Sequence, residues 1–111
     1  MNTEARAKII ASLTNQVARI EAEQITLSRA LVKNNYVIMT APSVYLRLME
    51  NGAIGAGVSH CTRFTEERAR ALAPDITNGY GERAQAMPLR SALAAEAAHM
   101  RELLETLTAV E

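Results

Sequence analysis

The residues best suited to chemistry are one neighbouring pair, His60 and Cys61, and a second histidine, His99. A thiolate beside an imidazole can act as a nucleophile, and the three side chains together could begin a metal site. Neighbouring side chains on the strand expected here point to opposite faces, which excludes a dyad between His60 and Cys61. None of these residues has zinc-ligand spacing, so we predict no catalytic residue, no metal and no cofactor.

Two further patterns could bind anions, and neither is specific. Residues 52–57 are rich in glycine, as phosphate-binding loops are, but the lysine of such loops is missing and no helical pattern follows. We therefore expect a flexible hairpin tip there. Four arginines could cluster, but interleaved acidic residues favour a solvated, charge-balanced face. These arginines are Arg63, Arg68, Arg70 and Arg83.

Composition restricts the classes of protein that remain. The 111 residues correspond to a single domain over residues 1–111, with twelve basic and twelve acidic side chains. Zero net charge provides no overall field toward nucleic acid or an anionic membrane. A single cysteine excludes an internal disulfide, and no apolar run reaches the roughly 18 residues of a membrane span. We expect a cytoplasmic protein with no membrane partner.

A long amphipathic segment over about residues 3–33 is the element that organises the rest. Its apolar residues recur at steps of three and four, which predicts one helix with a seam that must be buried. This helix-pairing seam comprises Ile10, Leu13, Val17, Ile20, Gln24, Leu27 and Leu31. Such a helix is roughly 45 Å long and overhangs a body with a radius of gyration near 13 Å. The C-terminal helix, a second copy or a target protein could cover it.

Gln24 is the one polar residue of the seam, and two interpretations of it stay open. A lone polar side chain at such a position can set the register of a helix pair, at some cost in stability. The alternative is that Gln24 reaches solvent at the edge of the seam.

The middle of the chain, about residues 36–87, is expected to form a β-rich body. A helix capped by Ser43 remains the alternative to the second strand. Asn51-Gly52 is a hairpin signal, and a loop is expected over 53–57. The strands are expected at 36–40, 44–49, 57–61 and 82–87.

Two more helices complete the predicted fold. Thr65 is expected to cap a short helix that Pro74 stops, and Pro88 begins a C-terminal helix over about 89–110. The second apolar ladder, on that helix, is Leu93, Ala97, Met100, Leu104 and Leu107. We predict an α+β fold: a small antiparallel sheet of three to four strands with a short helix, flanked by long N- and C-terminal helices. The two ladders pack together within one chain or across a dimer.

Part of the chain resembles small proteins encoded by phages and mobile elements. The resemblance covers about a third of the chain. Cys61 stands where alanine is usual, and Arg68 shifts the helix spacing by one. The matching segments are Tyr36-Val37-Ile38, Val44-Tyr45-Leu46, Cys61-Thr62-Arg63-Phe64-Thr65-Glu66-Glu67 and Ala69-Arg70-Ala71-Leu72. The resemblance implies a phage or integrated-element origin and a hairpin-plus-helix body, and it transfers no catalytic residue. Many proteins of that origin bind host proteins, inhibitors of bacterial defence such as anti-CRISPR proteins among them.

We therefore expect a non-enzymatic protein, also a homodimer, that binds and inhibits a host protein complex such as a CRISPR effector. The expected binding surfaces are the outer face of the first helix and a loop containing Asn51, Gly52, Ile54 and Gly55. The alternatives are a small dimeric nucleic-acid-associated regulator and a structural interaction protein. Neutral charge argues against direct binding of nucleic acid.

Overall fold

The structure, a computed structural model, describes residues 2–29 and 33–109. As predicted, it is an α+β fold in which long helices near both ends flank an antiparallel sheet, here of four strands. The elements are α1 (Thr3–Arg29), β1 (Tyr36–Ala41), β2 (Val44–Met49), β3 (Gly52–Ala56), α2 (Glu66–Leu72), a 3₁₀ turn (Ala73–Asp75), β4 (Gln85–Pro88) and α3 (Leu89–Thr108).

The strand order is β3-β2-β1-β4, so β1 and β2 are central and β3 and β4 are the edges. Neighbouring residues of β1 pack on opposite faces of the sheet, and Val37 and Ile38 are both fully buried. Helices must therefore cover both faces, which explains why apolar residues stand next to each other at Val37 and Ile38. The segment 44–49 is a strand and not a helix.

One face of the sheet is covered by α1 and α3, and we call it the helix-pair face. Val37 and Tyr45 lie on it and pack in one buried cluster with Ile20 of α1 and with Leu93 and Ala97 of α3. The small Ala97 lets the helices approach closely. This cluster joins both ends of the chain to the sheet.

The opposite face is covered by α2, and we call it the α2 face. Ile38 and Leu46 pack there with Phe64 and Ala69. The hydroxyl oxygen of Thr65 accepts the Arg68 N–H at 3.2 Å and caps α2, as predicted. Phe64 precedes the cap and Ala69 lies in the first turns, so their contact fixes the direction in which the chain enters α2.

The helix-pairing seam of α1 is covered in its middle by α3 of the same chain. Val17 and Ile20 are buried. An ion pair between Glu21 and Arg101, at 2.6 Å, links the helices beside them. The half-buried members are Ile10, Leu13, Gln24 and Leu27, and Leu31 lies outside the described residues. The structure describes α1 as far as Arg29, and Lys33, where the helix was predicted to end, lies in a bend.

Two of the expected strand and loop assignments are wrong. The segment expected as a loop, 53–57, forms most of β3, and the segment expected as a strand, 57–61, forms a turn. The Cys61 N–H donates to the Gly57 carbonyl at 3.0 Å. Val58 and Cys61 are both buried on the helix-pair side, so their spacing of three is that of a helical turn and not of a strand.

The last strand and the last helix differ from the prediction only in their boundaries. β4 begins at Gln85 and includes Pro88, and α3 begins at Leu89. The Leu89 N–H donates to the Asn35 carbonyl at 2.7 Å, which ties the start of α3 to the residue before β1.

The contact between β2 and β3 requires a glycine at position 55. A Cβ atom on Gly55 would lie 2.6 Å from the Cγ1 atom of Val44 on the neighbouring strand. A side chain at this position therefore forces one strand away from the other, and a glycine inside a strand marks such a close approach. Glycine is also needed at Gly52, where φ is +145°.

Replacing Gly55 by alanine is expected to lower the free energy of unfolding by about 1–3 kcal/mol, because the new methyl group overlaps Val44. Gly57→Ala is the matched control, since no atom lies within 4 Å of its added Cβ. We expect that change to stay within about 0.5 kcal/mol. Urea denaturation of both variants provides the measurement, and equal values for the two would contradict the packing described for Gly55.

Candidate functional site

The structure does not bring His60, Cys61 and His99 together as a reactive group. The Cys61 thiol is buried and donates to the Val58 carbonyl at 3.4 Å, while His60 and His99 are exposed. Burial raises the pKa of the Cys61 thiol, and the nearby Arg63 guanidinium opposes this only in part. Within residues 2–29 and 33–109, no group of three or more His, Cys, Asp or Glu side chains could hold a metal ion.

A polar cleft of about 360 Å³ lies beside His60, between α1 and α3. Arg19 and Glu96 line it from the two helices, but no ion pair joins them and His60 donates to neither. Catalysis by acid and base needs groups within hydrogen-bond reach of one another or of a common atom. The cleft has polar walls without such a convergent pair.

The arginines do not form an anion site, because acidic partners hold two of them. Arg63 pairs with Glu23 of α1. Arg70 lies 2.9 Å from Glu66, and its guanidinium carbon lies 5.6 Å from the centre of the Tyr36 ring. Hydrogen bonds from the Tyr36 hydroxyl and from Arg70 lower the pKa of Glu66. These contacts attach α2 to β1 and have a structural role.

Exposed apolar side chains concentrate on the hairpin formed by β2 and β3. Leu48, Met49 and Ile54 expose 44%, 51% and 50% of their surface. Tyr45 lies on the helix-pair face, so alternation along β2 places Met49 on the same face and Leu48 on the α2 face. Ile54 is paired with Arg47, which also alternates onto the helix-pair face, so Ile54 lies there too. The far end of the hairpin therefore extends beyond the helices on both sides of the sheet.

No strand of the described ranges 2–29 and 33–109 pairs with the outer edge of β3, and the backbone groups on that edge can be identified. The inner side of β2 bonds to Thr62: the Leu48 N–H donates to the Thr62 hydroxyl at 2.7 Å, and the Thr62 N–H to the Leu46 carbonyl at 3.0 Å. Leu46 and Leu48 thus direct their backbone groups away from β3. In an antiparallel pair, the residues opposite them, Gly55 and Ala53, then direct theirs to the open edge.

A turn carrying Tyr80 lies next to the hairpin. Tyr80 is 89% exposed. The Asn78 side-chain oxygen accepts the N–H groups of Tyr80 at 2.8 Å and Glu82 at 3.1 Å, so the turn is held by hydrogen bonds. A cleft of about 350 Å³ separates the turn from β3, with Ala53 and Gly55 on one wall and Gly79 on the other. We call Leu48, Met49, Ile54 and Tyr80 together the hairpin surface.

The residues expected to bind a partner lie on or beside this surface in different roles. Ile54 exposes its side chain, and Asn51 lies in the hairpin turn. Gly52 allows the positive φ of the turn, and Gly55 allows the close approach of β2 to β3. Sequence reasoning missed Leu48 and Met49, although apolar residues at adjacent positions of β2 were a signal that both faces carry them. Nothing in the sequence marked Tyr80 as a binding residue, apart from the turn-forming residues around it.

The other expected binding surface is the outer face of α1. Ile9 and Ile25 are exposed, but they lie sixteen positions apart, roughly 24 Å along a helix. Single exposed apolar residues are normal on soluble proteins. No helix among the described residues has the length and apolar character needed to cross a bilayer.

Comparisons of the chain with protein-family models, with curated proteins and with solved structures find no match. The resemblance to small phage proteins therefore stays a prediction that depends on the segments quoted for it.

The buried thiol of Cys61 is expected to react slowly with a disulfide reagent such as dithionitrobenzoate. The reagent attacks the thiolate, and burial limits both thiolate formation and access. At pH 8 we expect labelling to be at least about a hundredfold slower in native protein than in urea-unfolded protein. Comparable rates in the two states would show a reactive cysteine and would contradict a packing role.

Proposed function

We propose that this chain is a non-enzymatic protein-binding protein that contacts its partner through the hairpin surface. The observation that carries the proposal is the exposure of Leu48, Met49 and Ile54 together at the end of one hairpin. Isolated exposed apolar residues need no explanation, but neighbouring ones mark interaction sites. The surface can bind side chains on either face of the sheet.

Tyr80 adds a second kind of support. Tyrosine is enriched at interfaces because it combines a large apolar ring with a hydroxyl group and has few rotatable bonds. The hydrogen bonds of Asn78 hold the turn in place, so little backbone freedom is lost there when a partner binds. The cleft between the turn and β3 has room for a partner side chain.

The placement of the titratable groups supports a non-enzymatic function. The Cys61 thiol points into the core while His60 is exposed, so the pair cannot supply a nucleophile and its base. Arg63 and Arg70 are engaged in ion pairs with Glu23 and Glu66.

We propose further that the partner is a host protein complex of bacterial defence, such as a CRISPR effector, and that binding inhibits it in the cytoplasm. Support for this target class comes from the resemblance to phage and mobile-element proteins. Support for a blocking mechanism comes from the hairpin, which can enter a groove with apolar side chains on both faces.

The binding surface is tested with Met49→Ser and Tyr80→Ser in affinity capture from bacteria that contain an active CRISPR system. Truncating an interface anchor costs about 1–2 kcal/mol, so we expect each variant to bind about five- to thirtyfold more weakly than wild type. Leu103→Ser is the matched control, because Leu103 is exposed on α3 away from the hairpin. Unchanged binding by both hairpin variants would contradict the proposed surface.

The target class is tested separately by plasmid-interference assays in the same bacteria. Wild-type protein is expected to restore transformation by a targeted plasmid, Leu103→Ser to do the same, and the Met49→Ser, Tyr80→Ser double variant to fail. If wild-type protein leaves interference intact, the defence complex is not the target.

A further inference from the structure

We propose that two copies of the chain pair through their β3 edges, antiparallel and centred on Ile54, to form a continuous eight-stranded sheet. The proposal concerns the backbone of β3 and stands independently of the partner proposed above. It also predicts a dimer contact different from the helix seam.

The two edges of the sheet are unequal, and only one is protected. β4 has four residues, ends at Pro88, which has no N–H to donate, and runs directly into α3. β3 has no proline and no charged residue, and four of its five residues are exposed. An unprotected edge strand is a template for another strand.

The open edge of β3 is self-complementary. Ala53 and Gly55, which direct their N–H and C=O groups outward, lie symmetrically on either side of Ile54. In an antiparallel pair centred on Ile54, Ala53 of each copy faces Gly55 of the other. Both such pairs are hydrogen-bonded, so all four outward groups of each copy find partners. A two-fold axis relates the copies, and the contact closes as a dimer.

Charge and side-chain chemistry favour the same arrangement. Glu50 is the only charged residue in the segment 48–57. Antiparallel pairing places the two Glu50 carboxylates at opposite ends of the joint, roughly 20 Å apart at about 3.4 Å per residue, whereas parallel pairing would place them side by side. The two Ile54 side chains meet at the centre, where a pair of β-branched residues is favourable.

Pairing through the backbone leaves the side chains above and below the sheet uncovered. The dimer therefore joins Met49 and Ile54 of both copies into one apolar area on the helix-pair face, and the two hairpin surfaces become continuous. A five-residue strand pair buries far less than the roughly 800 Å² per partner of a standard interface. We expect a dimer that dissociates on dilution in the micromolar range.

Sedimentation equilibrium of the purified chain tests the proposal. We expect a reversible monomer–dimer equilibrium for wild type and for Ile54→Thr, which keeps a β-branched residue at the centre. Ile54→Glu places two carboxylates opposite each other and should weaken the dimer at least about tenfold. Arg47 lies opposite Ile54 on β2 and can form an ion pair with the new carboxylate within each monomer, so the fold is not expected to be lost.

Two further measurements keep the test independent of any loss of folding. Ile54→Lys places an ammonium group opposite Arg47, so circular dichroism first establishes that this variant is folded. Mixing it with Ile54→Glu should then restore a dimer containing one copy of each. Ala53→Pro removes an outward N–H without removing a bond to β2, and it should also weaken the dimer while the circular dichroism stays that of wild type.

A wild-type chain that stays monomeric at millimolar concentration would overturn the proposal. The same holds if the Glu and Lys variants fail to restore the dimer on mixing. Ile9→Lys, on the exposed side of α1, should leave the equilibrium unchanged; loss of the dimer in that variant would place the contact on the helix. None of these measurements involves a host protein, so their failure is separate from failure of the proposed function.

Discussion

The whole structure depends on a sheet whose central strand is buried on both faces. Val37 and Ile38 are adjacent and fully buried, so one layer of helices on each side is obligatory. The paired α1 and α3 provide one layer and the short α2 the other. These helices cover β1 and the near half of β2. The far end of the β2–β3 hairpin remains outside both layers, and this is where exposed apolar side chains and an open edge occur together.

The helix-pairing seam stabilises the fold of a single chain, whereas its sequence left open that it binds a second copy or a partner. The apolar ladder of α1 has to be buried against another helix. If that helix came from another molecule, α1 itself would be a binding surface. α3 supplies that helix for Val17 and Ile20 within one chain. The hairpin surface, and not an uncovered helix, therefore supports the proposed binding function.

Much of the fold could be predicted from residue spacing, and the failures have physical causes. The ladders of α1 and α3, the Thr65 cap and the strands β1 and β2 follow from periodicity and local chemistry. β3 could not be recognised because Gly55, which disfavours a strand, is required by the close approach of Val44 on the next strand, a tertiary constraint that overrides strand propensity. The turn at 57–61 was readable in principle, since Val58 and Cys61 are three apart. Of the residues in the hairpin surface, Ile54 was predicted from the sequence. Tyr80 could not be predicted, because only folding brings its turn next to the hairpin.

Amide hydrogen exchange, measured residue by residue over a range of protein concentrations, reports whether the edge of β3 is open in the monomer and paired in the dimer. The amides of Val37 and Ile38 should be protected at every concentration, because the core holds them. The amides of Ala53 and Gly55 should exchange rapidly in dilute solution and slow down as the protein is concentrated. If those two amides are as slow as Val37 in dilute solution, or if their rates never depend on concentration, the edge of β3 is not the open, pairing surface described above.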